Sequence, residues 1–194
     1  MKLVIIKYNA GNIQSVSFAL ERLGVDFTIT DNADEIQNAD KVIFPGVGEA
    51  STTMKYLKGK KLDQVIVNLK QPVLGICLGM QLMCAYSEEN NTDCLGVFNE
   101  TVKLFIPQND MKVPHMGWNN LTISDSWLTQ DLENKYAYFV HSYYVPVNAN
   151  TSAITEYINP FSAAMHKDNF YAVQFHPEKS AQAGELVLKS FLNV

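Results

Sequence analysis

The chain has 194 residues, the size of one domain that buries roughly two-thirds of its surface, and residues 1–194 read as a single unit. A composition of 47% hydrophobic and 18% charged residues excludes disorder, and a formal charge of −5 spread along the chain leaves no basic stripe for nucleic acid. Leu3-Val4-Ile5-Ile6 is too short for a signal-peptide core or a membrane span, so a soluble, cytoplasmic protein with no membrane contact is expected.

The N-terminal half alternates short apolar runs with helical periodicity, the rhythm of parallel strands joined by crossovers. Leu3 to Tyr8 reads as a buried strand, Asn9 to Asn12 as a turn, and Ile13 to Leu23 as a helix that Gly24 stops. Asp26 to Thr30, Lys41 to Phe44 and Val73 to Ile76 follow as strands, with helices around Thr52 to Leu57 and Leu62 to Leu69 before the last. A helical pattern then runs from Leu78 to Tyr86. Beyond Cys94 come strands without long helices: Thr101 to Phe105, Trp118 to Ile123, Tyr136 to Val140, Ser152 to Tyr157, Phe161 to His166 and Phe170 to Phe175. We expect these to be antiparallel additions, with Ala181 to Leu192 as a closing amphipathic helix. The fold class is therefore α/β, an open, mostly parallel twisted sheet flanked by helices, which binds ligands beyond the carboxyl ends of its strands.

Three cysteines, Cys77, Cys84 and Cys94, make no C-x-x-C pair, and four scattered histidines show no metal-binding spacing, so reduced thiols, no metal and no cofactor are expected. Gly75-Ile76-Cys77-Leu78-Gly79 has the form of a nucleophile elbow with cysteine in the nucleophile's place. A strained strand-to-helix turn would lift the thiol out of the sheet, the helix N-terminus would favour thiolate, and the Leu78 amide would point at a forming oxyanion. The pentapeptide alone fits a buried, inert cysteine equally well, the reading given to Cys84 and Cys94.

His176 and Glu178 of Val173-Gln174-Phe175-His176-Pro177-Glu178 lie two apart in an extended chain and so share a side, which places a carboxylate to orient an imidazole. A thiol needs a base and the base an orienting partner, so Cys77, His176 and Glu178 together form a triad. Pro45-Gly46-Val47-Gly48 lacks the lysine of a phosphate loop, and its Val47 amide is suited to be a second oxyanion donor. Gln81, one helical turn beyond Cys77, can reach a substrate held at the thiol.

The elbow with Met80-Gln81, the Pro45-to-Gly48 turn and the His176-Pro177-Glu178 end resemble the class I, or triad, glutamine amidotransferases. Tyr8-Asn9-Ala10-Gly11-Asn12, Val113-Pro114-His115-Met116-Gly117-Trp118-Asn119 and Tyr138-Phe139-Val140-His141-Ser142-Tyr143 narrow the resemblance to glutaminase subunits of imidazole glycerol phosphate synthase, over the whole chain. The resemblance implies that Cys77 is the nucleophile, His176 the base and then acid, and Glu178 its orienting group. It implies that Gly46, Gly48, Gln81, Glu89, His141, Ser142 and Tyr143 hold glutamine. Asn12, Trp118, Tyr138 and Lys179 would meet a (β/α)8-barrel cyclase subunit that uses the ammonia to make imidazole glycerol phosphate and AICAR in histidine biosynthesis. The pair is expected to be a heterodimer. The segment Leu95 to Met111 is less glycine-rich than the resemblance leads one to expect. Three rivals stay open on sequence: an amidotransferase serving another acceptor, a stand-alone glutamyl hydrolase or cysteine peptidase, and an inactive scaffold.

Overall fold

A computed structural model of the chain describes residues 1–8, 12–108, 110–124 and 127–194. The first strand, β1 (Leu3–Ile6), is buried on both faces, as its unbroken apolar run requires. Of the turn that follows, Asn9, Ala10 and Gly11 lie outside the described residues. In α1 (Ile13–Arg22), Val16, Ala19 and Leu20 face inward, and Gly24, at φ 68°, reverses the chain just past the helix. β2 (Phe27–Thr30) leads into α2 (Ala33–Gln37), a short helix that has no apolar stripe and was missed on periodicity; Asn32 caps it by accepting from the amides of Asp34 and Glu35. β3 (Lys41–Phe44) and β4 (Val73–Ile76) enclose α3 (Ala50–Gly59) and α4 (Leu62–Val67).

The helix expected from Leu78 to Tyr86 is shorter than its pattern. α5 covers Leu78–Leu82, and Cys84–Ser87 is a strand, β5. Short apolar runs fit both periods, and strand pairing decides here: β5 lies parallel to β7 (Phe98–Leu104) and antiparallel to β6 (Thr92–Asp93). Cys84 is thus a strand residue, fully buried. The strand expected from Trp118 to Ile123 divides into β8 (His115–Asn120) and β9 (Thr122–Ile123), which join different sheets. The chain continues through β10 (Tyr136–His141), β11 (Tyr143–Tyr144), β12 (Thr151–Tyr157), β13 (Asn159–Lys167) and β14 (Phe170–Val173) to α6 (Ala181–Leu192).

The main sheet runs β2-β1-β3-β4-β14-β13-β12-β9. β14 departs from the antiparallel expectation: the tight hairpin through Asp168 (φ 54°) turns the chain back so that β14 pairs parallel to β4 and antiparallel to β13. β13, β12 and β9 are antiparallel additions as expected, while β8–β10 and β11-β7-β5-β6 form two smaller sheets. Alternating side chains sort the core to both faces. Leu3, Ile5, Ile43 and Leu74 pack with α1 and α6 on one, and Val4, Ile6, Val42 and Val73 with α3, α4 and α5 on the other. β4 and β14 lie side by side, with Ile76 opposite Val173, so the segments that leave their carboxyl ends meet. No helix among the described residues is long and apolar enough to cross a membrane.

Candidate active site

Cys77 sits between β4 and α5 at φ 53° and ψ −109°, the strained conformation of an elbow, with its amide fixed on the Val173 carbonyl at 2.8 Å. The turn can be this sharp because Gly79 packs against the end of β3: a Cβ there would stand 2.1 Å from the Phe44 carbonyl oxygen. α5 has only five residues, so it contributes little of the helix field that the sequence pattern suggested.

The imidazole and carboxylate meet by a route other than the extended one. His176 is extended (φ −99°, ψ 97°), but Pro177–Lys179 turns into a 3-10 helix. That turn brings Glu178 Oε1 to 2.8 Å from His176 Nδ1, with both side chains buried. Burial alone would lower the imidazole's proton affinity, yet Cys77 and Glu178 raise it to about 10. Nε2 is turned toward Cys77 but makes no hydrogen bond of good geometry.

Cys77, Leu78, Gln81, Glu89, His141, Ser142, Tyr143 and His176 line one cleft of about 320 Å³ with Val47, Gly48, Pro114 and Val140. Gly46 is the one expected glutamine contact outside its wall. Its carbonyl accepts the Leu78 N–H at 3.3 Å, so in this conformation the amide expected to face an oxyanion is occupied by the protein itself. Gly48 at φ 118° supplies the backbone freedom on the far side of Val47. Glu89 accepts from the Ala50 amide at 2.8 Å, and burial raises its pKa from the ordinary carboxylate value.

Gln174, Tyr8 and His115 were given no role on sequence. Tyr8 is buried, its hydroxyl donating to the Pro45 carbonyl, and burial first and Cys77 second raise its pKa. Gln174 is fully buried and donates to the Cys77 sulfur at 3.6 Å. His141 spends both ring nitrogens inside the protein, Nδ1 on the Tyr143 carbonyl at 2.7 Å and Nε2 on His115 Nδ1 at 3.1 Å. It shapes the cleft rather than offering it a polar atom. Burial holds the pKa values of His115 and His141 down to about 4 and about 3.

The four residues expected at a partner surface fall into two groups. Trp118 is 51% exposed and packs edge-on against half-buried Tyr138 at 5.9 Å, and the Lys179 ammonium lies 6.0 Å from the Tyr138 ring centre. Asn12 is only 3% exposed, and its Nδ2 donates to Glu178 Oε1 at 3.2 Å. The free chain therefore presents three of the four as one patch and holds the fourth behind the triad. No group of His, Cys, Asp and Glu suited to a metal ion occurs among the described residues.

The glutamine amidotransferase class-I family matches residues 4–193. The chain is 60% identical over 196 residues to the imidazole glycerol phosphate synthase subunit HisH of Bacteroides fragilis (strain YCH46), covering all of both. It is 46% identical to the subunit of the same name from Blochmanniella floridana, again over the whole of both. The fold is shared with a solved glutamine amidotransferase (TM-score 0.76, 16% identity, 98% of this chain and 97% of that one). It is also shared with PurLQS from Thermotoga maritima (TM-score 0.70, 16% identity, 99% and 97% covered). A cysteine elbow facing a buried histidine and glutamate, together with these full-length matches, shows that the chain belongs to the class I glutamine amidotransferases, in the family of HisH subunits.

Proposed function

We propose that this glutaminase subunit hydrolyses L-glutamine at Cys77, with His176 carrying the proton and Glu178 orienting it, and passes the ammonia to a (β/α)8-barrel cyclase subunit in histidine biosynthesis. It acts as one domain, 1–194, in a cytoplasmic heterodimer. The observation that carries the reading is the meeting of three residues from two adjacent strand ends at one cleft: the strained Cys77, and His176 braced at 2.8 Å by Glu178.

Cys77 and Glu178 raise the proton affinity of His176, so the imidazole takes the thiol proton as the sulfur attacks the glutamine carboxamide. The imidazolium then gives its proton to the departing ammonia, and the acyl group stays on sulfur as a thioester. Water, deprotonated by the now neutral His176, releases glutamate. Gln81 donates both amide hydrogens inside the protein, to the Tyr143 carbonyl and Gln174 Oε1, both at 2.9 Å. Its Oε1 and the Glu89 carboxylate are the acceptors for the substrate's ammonium group, with Ser142, Tyr143 and Gly48 forming the surrounding wall.

The Leu78 amide on the Gly46 carbonyl supports a resting state with an unfinished oxyanion hole. A peptide flip within Pro45–Gly48 would turn the Val47 amide inward and release Leu78. One such donor is worth ~10²- to 10³-fold in turnover. The docking patch of Trp118, Tyr138 and Lys179 adjoins the triad through the backbone, because the His176 amide donates to the Tyr138 carbonyl at 2.9 Å. The test is glutamine hydrolysis by the chain alone, with the cyclase, and with the cyclase plus its nucleotide substrate. Activity should rise at each step; full activity in the isolated chain would refute the coupling and favour a stand-alone hydrolase.

A further inference from the structure

Behind the cleft runs a buried polar network whose direction is fixed at both ends by backbone carbonyls, which only accept. The Tyr143 carbonyl takes two donors: His141 Nδ1 at 2.7 Å and Gln81 Nε2 at 2.9 Å. With Gln81 Nε2 so oriented, its other hydrogen goes to Gln174 Oε1 at 2.9 Å, which leaves Gln174 Nε2 for the Cys77 sulfur at 3.6 Å. On the other branch His141 Nε2 must accept from His115 Nδ1, and His115 Nε2 faces Asn119 Nδ2 at 3.4 Å. Asn119 is itself oriented by donating to the Glu156 carbonyl at 2.9 Å. Every amide and tautomer follows from the two carbonyls, so the donor aimed at the sulfur is not an arbitrary flip.

We propose that Gln174 is a further catalytic residue, one that touches the nucleophile from below: its amide N–H holds the Cys77 sulfur toward the cleft and supports the charge on it. The inference rests on the reading of Cys77 as the nucleophile. The Gln174 backbone is pinned by donation to the Ala163 carbonyl at 2.8 Å, and Gln81 clamps its side chain, so the donor costs no reorganisation during reaction. Sulfur carries negative charge twice, before attack and when it leaves the thioester, and a five-residue α5 gives it little help. Gln174 does not line the cleft, and Gln174→Glu keeps the acceptor that orients Gln81, so loss of the donor in that variant should act on chemistry and not on glutamine binding.

The experiment compares Gln174→Met, which removes the donor, and Gln174→Glu, which keeps an oxygen for Gln81 but turns the donor into an acceptor. Both are assayed in the complex with the cyclase. We expect kcat for glutamine to fall roughly 10- to 100-fold in both, the worth of one hydrogen bond to a charged group, with KM within twofold in Gln174→Glu, the variant on which the KM criterion is read. Ammonia-dependent synthesis should be unchanged, and the Glu variant should lose more than the Met variant. A variant that retains native kcat, or loses activity only through KM, overturns the inference while leaving the triad standing. Cys77→Ser with native hydrolysis would overturn both. Should the variants misfold, the native chain still decides: the Gln174 side-chain amide resonances should shift when iodoacetamide alkylates Cys77, and resonances that stay in place overturn the contact.

Discussion

Two buried histidine sites lie close together in this molecule and behave in opposite ways. His176 is fully buried and has Glu178 on Nδ1 and Cys77 before Nε2; its pKa rises to about 10. His141 and His115 are buried beside it with only neutral partners, and their pKa values fall to about 3 and about 4. The comparison teaches that burial does not decide the charge of an imidazole here. A thiol and a carboxylate within reach do, and the same β-rich wall raises the proton affinity of one histidine and lowers that of two others.

The largest expected effect breaks the charged site at its nucleophile. In the complex, Cys77→Ser should lower glutamine hydrolysis by ~10⁴-fold or more and leave ammonia-dependent synthesis nearly intact, since on the proposed reading the two reactions use different subunits. His176→Ala should cost about 10³-fold and Glu178→Gln about 10²-fold, because the glutamine amide still orients the ring but no longer holds its proton. Initial rates with saturating glutamine check both; equal rates for Glu178→Gln and the native enzyme would remove the carboxylate from the account.

The neutral pair predicts a pH effect of definite sign. Unfolding lets His115 and His141 regain ordinary proton affinity, so the unfolded chain binds more protons and stability falls as pH drops from about 6.5 toward 3 to 4. His176 has the reverse sign: its contribution is fully present below pH 6.5 and is lost as pH rises through about 10. Chemical denaturation at several pH values checks this, and His115→Phe should flatten the acid limb. The smallest effects are at the patch. Lys179→Ala and Trp118→Ala should leave the fold intact and weaken activation by the cyclase, Trp118 more, as an exposed aromatic able to become a buried anchor. Activation curves against cyclase concentration would show it.

The contrast also separates what was legible in the sequence. The strands Lys41–Phe44 and Val73–Ile76 and the helix Ala181–Leu192 are found where periodicity put them, because each lies in a buried or amphipathic pattern bounded by breakers. Cys77, His176 and Glu178 were legible because the elbow glycines and the proline leave a local trace. The run after Leu82 was not: Met83 and Cys84 fit helix and strand alike, and pairing with Phe98, fourteen residues on, decided it. Gln174, Tyr8 and the His115–His141 bond were invisible for the same reason, since each acts through a partner far off in sequence. Asn12, expected by resemblance at the partner face, has its amide on the Glu178 carboxylate in the free chain, a contact across 166 residues that no local pattern signals.

The most direct test of the central claim is reaction of the native complex with an electrophilic glutamine analogue, followed by mapping of the adduct. Cys84 is fully buried, with burial raising its pKa, and the Cys94 thiol is pushed up to about 12, so neither competes as a thiolate. The account predicts one adduct, on Cys77, with hydrolysis lost in proportion and ammonia-dependent synthesis retained. An adduct chiefly on Cys84 or Cys94, or full hydrolysis by enzyme labelled at Cys77, would contradict it.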